Sequence, residues 1–100
     1  MNLRELWAAG GPTFGAWMTV PSSAAAETTA RVGFDFVCAD NQHGAIDYPA
    51  TAGIVQGVLL GGSRPIARVP WNEPGIIGKV LDAGVQGVVP LMVCFLPAFV

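Results

Sequence analysis

Charge is what this sequence has least of. Only 12% of its 100 residues are Asp, Glu, Lys or Arg, against about 25% in a typical globular domain. The five basic residues, Arg4, Arg31, Arg64, Arg68 and Lys79, are scattered, and the formal net charge is −2. No basic patch can track a phosphate backbone, which argues against nucleic acid as a partner. Histidine occurs once, at His43, and cysteine twice, at Cys38 and Cys94, without metal-ligand spacing. Two cysteines in apolar runs read as buried free thiols of a cytoplasmic protein. No G-x-G-x-x-G or P-loop pattern occurs, so nucleotide binding has no support. An unbroken membrane-length apolar run is lacking too. Residues 48–63 are too short and glycine-rich, and Gln86, Pro90 and Pro97 interrupt residues 83–100. The opening "MNLRELWAAGG" carries Arg4 and Glu5 and no apolar core, so it is not a secretory signal.

What is there is apolar: 52% of the residues are hydrophobic, a composition suited to the interior of something larger. "FGAWMTV" (14–20), "FDFVCA" (34–39), "PIARV" (65–69) and "VQGVVPLMV" (85–93) are strand-like. Between them run helix-like segments with recognisable ends. The first has Ser22 or Ser23 as N-cap and Gly33 as stop. The second opens at Pro49 and closes at Gly61 and Gly62. The third has Asn72 as N-cap, Glu73 and Pro74 in its first turn, and Gly84 as stop. A short helix over 2–9 precedes them. The strands are nearly continuous apolar runs, the pattern of parallel strands covered on both faces. Strand and helix alternating through short connections predicts right-handed βαβ units, four strands with connecting helices, in an α/β fold that makes half of a larger architecture.

In such folds the chemistry gathers at the carboxyl ends of the strands. That rule selects Val20–Ser22, Asp40–His43, Arg68–Asn72 and the residues after Val93. His43 could act as a general base near neutral pH; alternatively Asp40 bonds backbone amides in an Asx turn and His43 is simply exposed. A metal set of Asp40, His43 and Asp47 lacks a second histidine or clustered carboxylate. Arg68 ends a buried strand, so it pairs either with an anionic ligand or with a carboxylate such as Glu73 or Asp40. Arg64, at the other end of that strand, reads as a solvated charge. Asp82 stands in the last turn of the third helix, against the helix dipole. Trp7, Trp17 and Trp71 read as packing anchors, with Trp71 the leading exception because it follows Arg68. The spacing of Gly53 and Gly57 permits close helix packing.

In order, "GPTFGAWMTVPSSAAAE", "GFDFVCADNQHGAIDY" and "PIARVPWNEPGIIGKVLDAGVQGVVPLMV" resemble the N-terminal part of the HpcH/HpaI aldolase/citrate lyase family, the class II pyruvate aldolases. The similarity runs from about Leu3 to Val93, and the pairing of D-x-Q-H-G with R-V-P-W-N-E-P carries its specificity. The resemblance implies the N-terminal half of a (β/α)8 TIM barrel. It implies a cytoplasmic, homo-oligomeric carbon–carbon lyase that cleaves or forms 4-hydroxy-2-oxo acids, with pyruvate and an aldehyde as the halves. A divalent metal (Mg2+, Mn2+ or Co2+) would stabilise the enolate. Carried over by position, His43 matches the catalytic base and Arg68 the arginine that binds the oxo acid. Asp82 matches an aspartate credited with raising the basicity of that histidine, and Asp40 would support the metal-bound water.

Two departures temper the match. A (β/α)8 barrel takes about 250 residues, and the family's metal ligands, a glutamate and an aspartate from later strands, lie outside this chain. The segment 94–100, "CFLPAFV", departs from the family pattern and reads as a truncation or changed reading frame. The chain is therefore expected to form a single partial barrel domain over 1–100, inactive in isolation. The competing expectation is a non-catalytic fragment or half-barrel that acts only by assembling with a partner chain.

Overall fold

The computed structural model describes residues 1–90. Helix α1 (Leu3–Ala8) is followed by β1 (Gly15–Met18), α2 (Ser23–Arg31), β2 (Phe36–Asp40), α3 (Tyr48–Leu60), β3 (Arg64–Val69), α4 (Pro74–Ala83) and β4 (Gly87–Pro90). The four strands form one parallel sheet in chain order, β1-β2-β3-β4. This is the expected α/β half-barrel arrangement. Residues 91–93 of the expected fourth strand, Cys94 and the segment 94–100 lie outside the described residues.

The helix ends follow from side chains at the right positions. Ser22 caps α2 by accepting from the amide of Ala25, and Asp47 caps α3 by accepting from Ala50. The N-cap of α4 is Glu73, not Asn72: its carboxylate accepts from the amides of Gly75 and Ile76 at 2.7 and 3.0 Å. Pro74 explains the shift, because the residue before a proline is held extended, the backbone an N-cap needs. Those two amides also hold the Glu73 carboxyl below its usual range. Gly84 ends α4 in the left-handed conformation, at φ 113°.

Alternate strand residues divide between two faces. Ala16, Met18, Val37 and Ala39 pack outward with Ala26, Ala30, Ile54 and Val58 of the helices. Ala67, Val69 and Val88 pack with Val55, Val80 and Val85. The inward set comprises Trp17 on β1, Phe36, Cys38 and Asp40 on β2, Arg64, Ile66 and Arg68 on β3, and Val89 on β4. Helix α1 closes the amino end of this inner face: Leu3 is buried against Cys38 and Ile66, worth about 1.5–3 kcal/mol for such a side chain. Arg64 is not merely solvated. It donates to the carbonyls of Met1 (2.8 Å) and Asp35 (3.0 Å), tying the chain's first residues to the sheet. Cys38 is the expected buried thiol, its pKa pushed up to about 12 chiefly by burial.

Helices α2 and α3 touch through small residues, as the Gly53–Gly57 spacing anticipates. A methyl group at Gly57 would be driven into the Ser23 carbonyl, and one at Gly61 against Ala30 and the Glu27 carbonyl. Gly78 in α4 has open space where its side chain would be. Removing a helical glycine should by itself stabilise by about 1 kcal/mol, and that gain should appear at Gly78→Ala. At Gly57→Ala the colliding atom is fixed backbone, so overpacking of about 1–3 kcal/mol should win. Urea unfolding of the two variants should therefore shift in opposite directions; a stabilised Gly57→Ala would refute the close helix contact.

Candidate active site

Parallel register sets Asp40, the last residue of β2, beside Arg68 near the end of β3. Their side chains form a bidentate pair: Nη2 of Arg68 donates to Oδ2 of Asp40 at 2.6 Å, and Nε to Oδ1 at 3.2 Å. Trp17 adds a third edge. Its indole Nε1 donates to Oδ2 of Asp40 at 3.0 Å, and the Arg68 guanidinium lies 5.2 Å from the centre of its ring.

Asp40 is 1% exposed, yet both of its carboxylate oxygens have hydrogen-bond partners. Besides Arg68 and Trp17, its Oδ1 accepts the backbone amides of Gln42 at 2.9 Å and His43 at 3.0 Å. Arg68, ahead of the amide and indole bonds, holds the Asp40 carboxyl well below the usual carboxylate range, although burial pushes the other way. The same carboxylate raises the affinity of Arg68 for its proton. An ionised carboxylate in this setting is sound because a buried charge with full hydrogen bonding offsets its desolvation.

The Asx turn and the ion pair, each weighed from sequence as an alternative, are both present, and one carboxylate makes them. The turn fixes the loop that bears His43. Asn41 donates its amide to the Arg68 carbonyl at 2.8 Å and accepts from the Thr51 hydroxyl at 2.8 Å. Ala45 donates to the Thr19 carbonyl at 3.0 Å. Gly44 has no room for a side chain: a methyl group would sit 2.7 Å from the Asp40 carbonyl oxygen and 3.0 Å from the Thr19 Cα. On this anchored backbone the His43 side chain is exposed at the carboxyl end of the sheet.

The fold brings Asp40, Arg68 and the His43 loop together and leaves Asp82 out. Helix α4 begins where β3 ends and runs back to the amino ends of the strands, so Asp82, in its last turn, lies at the opposite end of the sheet from His43. Within one chain, an Asp82–His43 pairing has no geometric support. Asp47 is committed to the α3 cap. No group of three or more His, Cys, Asp or Glu side chains suited to a metal occurs among the described residues. A surface depression of about 320 Å³, lined by Asn2, Leu3, Arg4 and Gln86, lies at the amino end of the sheet, away from these side chains. No helix among the described residues is long and apolar enough to cross a membrane.

Trp17 is the residue that sequence reasoning assigned only to packing. The indole is 47% exposed and points into the Asp40–Arg68 pair. Its partner lies 23 positions away and becomes visible only through strand register. Trp7 and Trp71 are exposed as well, at 54% and 61%, so none of the three tryptophans is the buried packing anchor expected.

No family model matches the chain. It is 37% identical over 92 residues to a hydroxypyruvate/pyruvate aldolase of Rhizorhabdus wittichii, covering 92% of this chain and 37% of that protein. It is 35% identical over 85 residues to a 4-hydroxy-2-oxo-heptane-1,7-dioate aldolase of Klebsiella pneumoniae, covering 85% of this chain and 32% of that one. Among solved structures, citrate synthase SbnG superposes with a TM-score of 0.80 at 30% identity, over 87% of this chain and 36% of its own. An HpcH/HpaI aldolase/citrate lyase family protein from Burkholderia cenocepacia gives 0.72 at 33% identity, over 77% and 31%. The chain thus spans about a third of the length of the relatives it matches.

Proposed function

Since this chain is homologous to the N-terminal part of HpcH/HpaI aldolase/citrate lyase family proteins, we propose that it supplies the anion-binding and proton-accepting half of a carbon–carbon lyase acting on 4-hydroxy-2-oxo acids. One observation carries the reading: a single buried carboxylate, Asp40, fixes both the Arg68 guanidinium and the loop bearing His43. Citrate synthase SbnG has the same fold at similar identity, so the aldolase reading rests on the curated relatives and on this pair rather than on fold alone.

The chemistry follows from donors left over. Arg68 has five N–H donors and turns its Nε and Nη2 side to Asp40. The Nη1 side remains for the carboxylate and 2-oxo oxygen of the substrate. His43 takes the proton of the 4-hydroxyl group, directly or through water. The C3–C4 bond breaks, the aldehyde forms at C4, and the electron pair passes to the three-carbon half as an enolate. The positive charge of Arg68 lies where that negative charge develops. Return of a proton to C3 gives pyruvate.

The divalent metal that the resemblance implies does not fit the residues described: Asp40 spends both carboxylate oxygens on internal bonds, Asp47 gives Oδ1 to the cap of α3, and no three-ligand group stands with them. The purified 100-residue chain is accordingly expected to release little pyruvate from a 4-hydroxy-2-oxo acid, even with Mg2+, Mn2+ or Co2+ supplied.

The decisive experiment is a chimera in which residues 1–90 replace the matching segment of the Rhizorhabdus wittichii relative. Metal-dependent pyruvate release at a rate near that of the relative supports the lyase reading. A chimera that folds but is inactive removes it. That outcome favours the second reading, a half-barrel that acts by assembling with a partner, for which the observation is the inner sheet face: Trp17 and Val89 there are 47% and 38% exposed.

A further inference from the structure

The Asp40–Arg68 pair has a third member whose chemistry suits more than packing. We infer that Trp17 is a positioning residue of the oxo-acid site: its indole N–H and ring face together set the plane in which Arg68 presents its unpaired edge to the substrate carboxylate. The inference deepens the proposed function and rests on its assignment of Arg68.

An arginine held only by a carboxylate keeps one rotational freedom, because the fork can swing about the line joining the two groups. Asp40 grips Nε and Nη2, which fixes the edge of the guanidinium but not its tilt. The Trp17 ring, 5.2 Å from Cζ, supplies a surface against which the planar cation stacks. The indole N–H on Oδ2 of Asp40 then locks ring and carboxylate to one another. Three groups thereby fix one plane, each touching the other two.

Backbone placement favours the same reading. Trp17 lies on the inner face of β1, which pairs with β2 through Trp17 and Cys38, one pleat below Asp40. The indole therefore approaches the pair from the side opposite β4, and Arg68 lies in register between Asp40 of β2 and Val89 of β4. Arg68 keeps 27% of its side chain exposed while Asp40 keeps 2%, and Trp17 beside them is 47% exposed. The guanidinium lies 5.2 Å from the ring centre, so Trp17 fluorescence should report an anion docking on Arg68.

The test uses the full 100-residue chain and oxalate, a planar stand-in for the pyruvate enolate. In a Trp7→Phe, Trp71→Phe background only Trp17 emits, and of the three indoles Trp17 is the one that bonds Asp40 and stacks on Arg68. Oxalate should change that emission saturably, and Arg68→Lys should abolish the change. Calorimetric affinity should fall about 3–10-fold in Trp17→Phe, which keeps a ring under Arg68, and further in Trp17→Leu, which keeps neither ring nor donor. The graded order, with unchanged circular dichroism, is a result that general loosening would not produce. Absence of oxalate binding to the parent chain would overturn the Arg68 anion site and this inference with it. Binding by the parent with equal affinity in Trp17→Leu would overturn the role of Trp17 alone.

Discussion

Replacing His43 with alanine in the active chimera should lower turnover about 10²–10⁴-fold, the usual contribution of a positioned general base. The effect should fall on turnover and not on stability. The His43 side chain is exposed and makes no hydrogen bond among the described residues, whereas its backbone is held by Asp40. Removing the imidazole therefore leaves the loop's anchors in place: the Asp40 turn, the Asn41–Thr51 bond and the close approach of Gly44 to Thr19. Thermal melting should match the parent within the scatter expected of a surface substitution, about 0.5 kcal/mol. An unchanged rate would take His43 out of the mechanism while leaving Arg68 as the anion site.

Asp40→Ala should have the largest effect on stability of any substitution near the site. It leaves Arg68 without its partner and strips acceptors from Trp17, Gln42 and His43 at once. Breaking a buried pair costs about 3–5 kcal/mol, a large part of the 5–15 kcal/mol that typically holds a domain together. Because the Arg68 side chain is 27% exposed, water recovers some of that loss, and the lower end of the range is expected. Asp40→Asn should cost less, since an amide oxygen can still accept from the two loop amides. The pair also sets an acid limit. The Asp40 carboxyl ionises at lower pH in the folded chain than in the unfolded one, where the value is about 3.9. Its contribution is thus complete above about pH 5, and is lost as pH falls through and below the unfolded value. Urea midpoints at pH 7 and pH 3 should diverge more for the parent than for Asp40→Asn. Equal divergence would mean that other carboxyls, such as Glu73, set the acid response.

Much of this fold was legible because the strands are apolar runs and the helices end at glycine: Gly33, Gly62 and Gly84 all adopt positive φ. The strand-end rule reached Asp40, His43 and Arg68 without any knowledge of pairing. Which carboxylate met Arg68 was not legible. Glu73 is nearer in sequence, but Pro74 turns it to the helix amides, and parallel register presents Asp40 instead. Trp17 was missed for a related reason: a single strand shows which face a residue takes, but not which residue of the next strand lies beside it. Arg64 was misjudged because its acceptors are carbonyls of Met1 and Asp35, and carbonyls leave no trace in side-chain chemistry. Asp82 matches by position alone: the direction of a βα unit sends helix ends away from strand ends, and Asp82 lies in the last turn of α4.

The order of the sheet has a bearing on how the site comes into being. Each strand pairs with the one synthesised just before it, so no strand waits for a distant segment to arrive, and the entropic cost of closing each loop stays small. Asp40 and Arg68 are 28 positions apart and meet as soon as β3 docks on β2. A nascent chain emerging from the ribosome could thus acquire its anion-gripping pair before β4 exists. Hydrogen-exchange labelling during refolding should find the amides of Gln42 and His43 protected no later than those of β4.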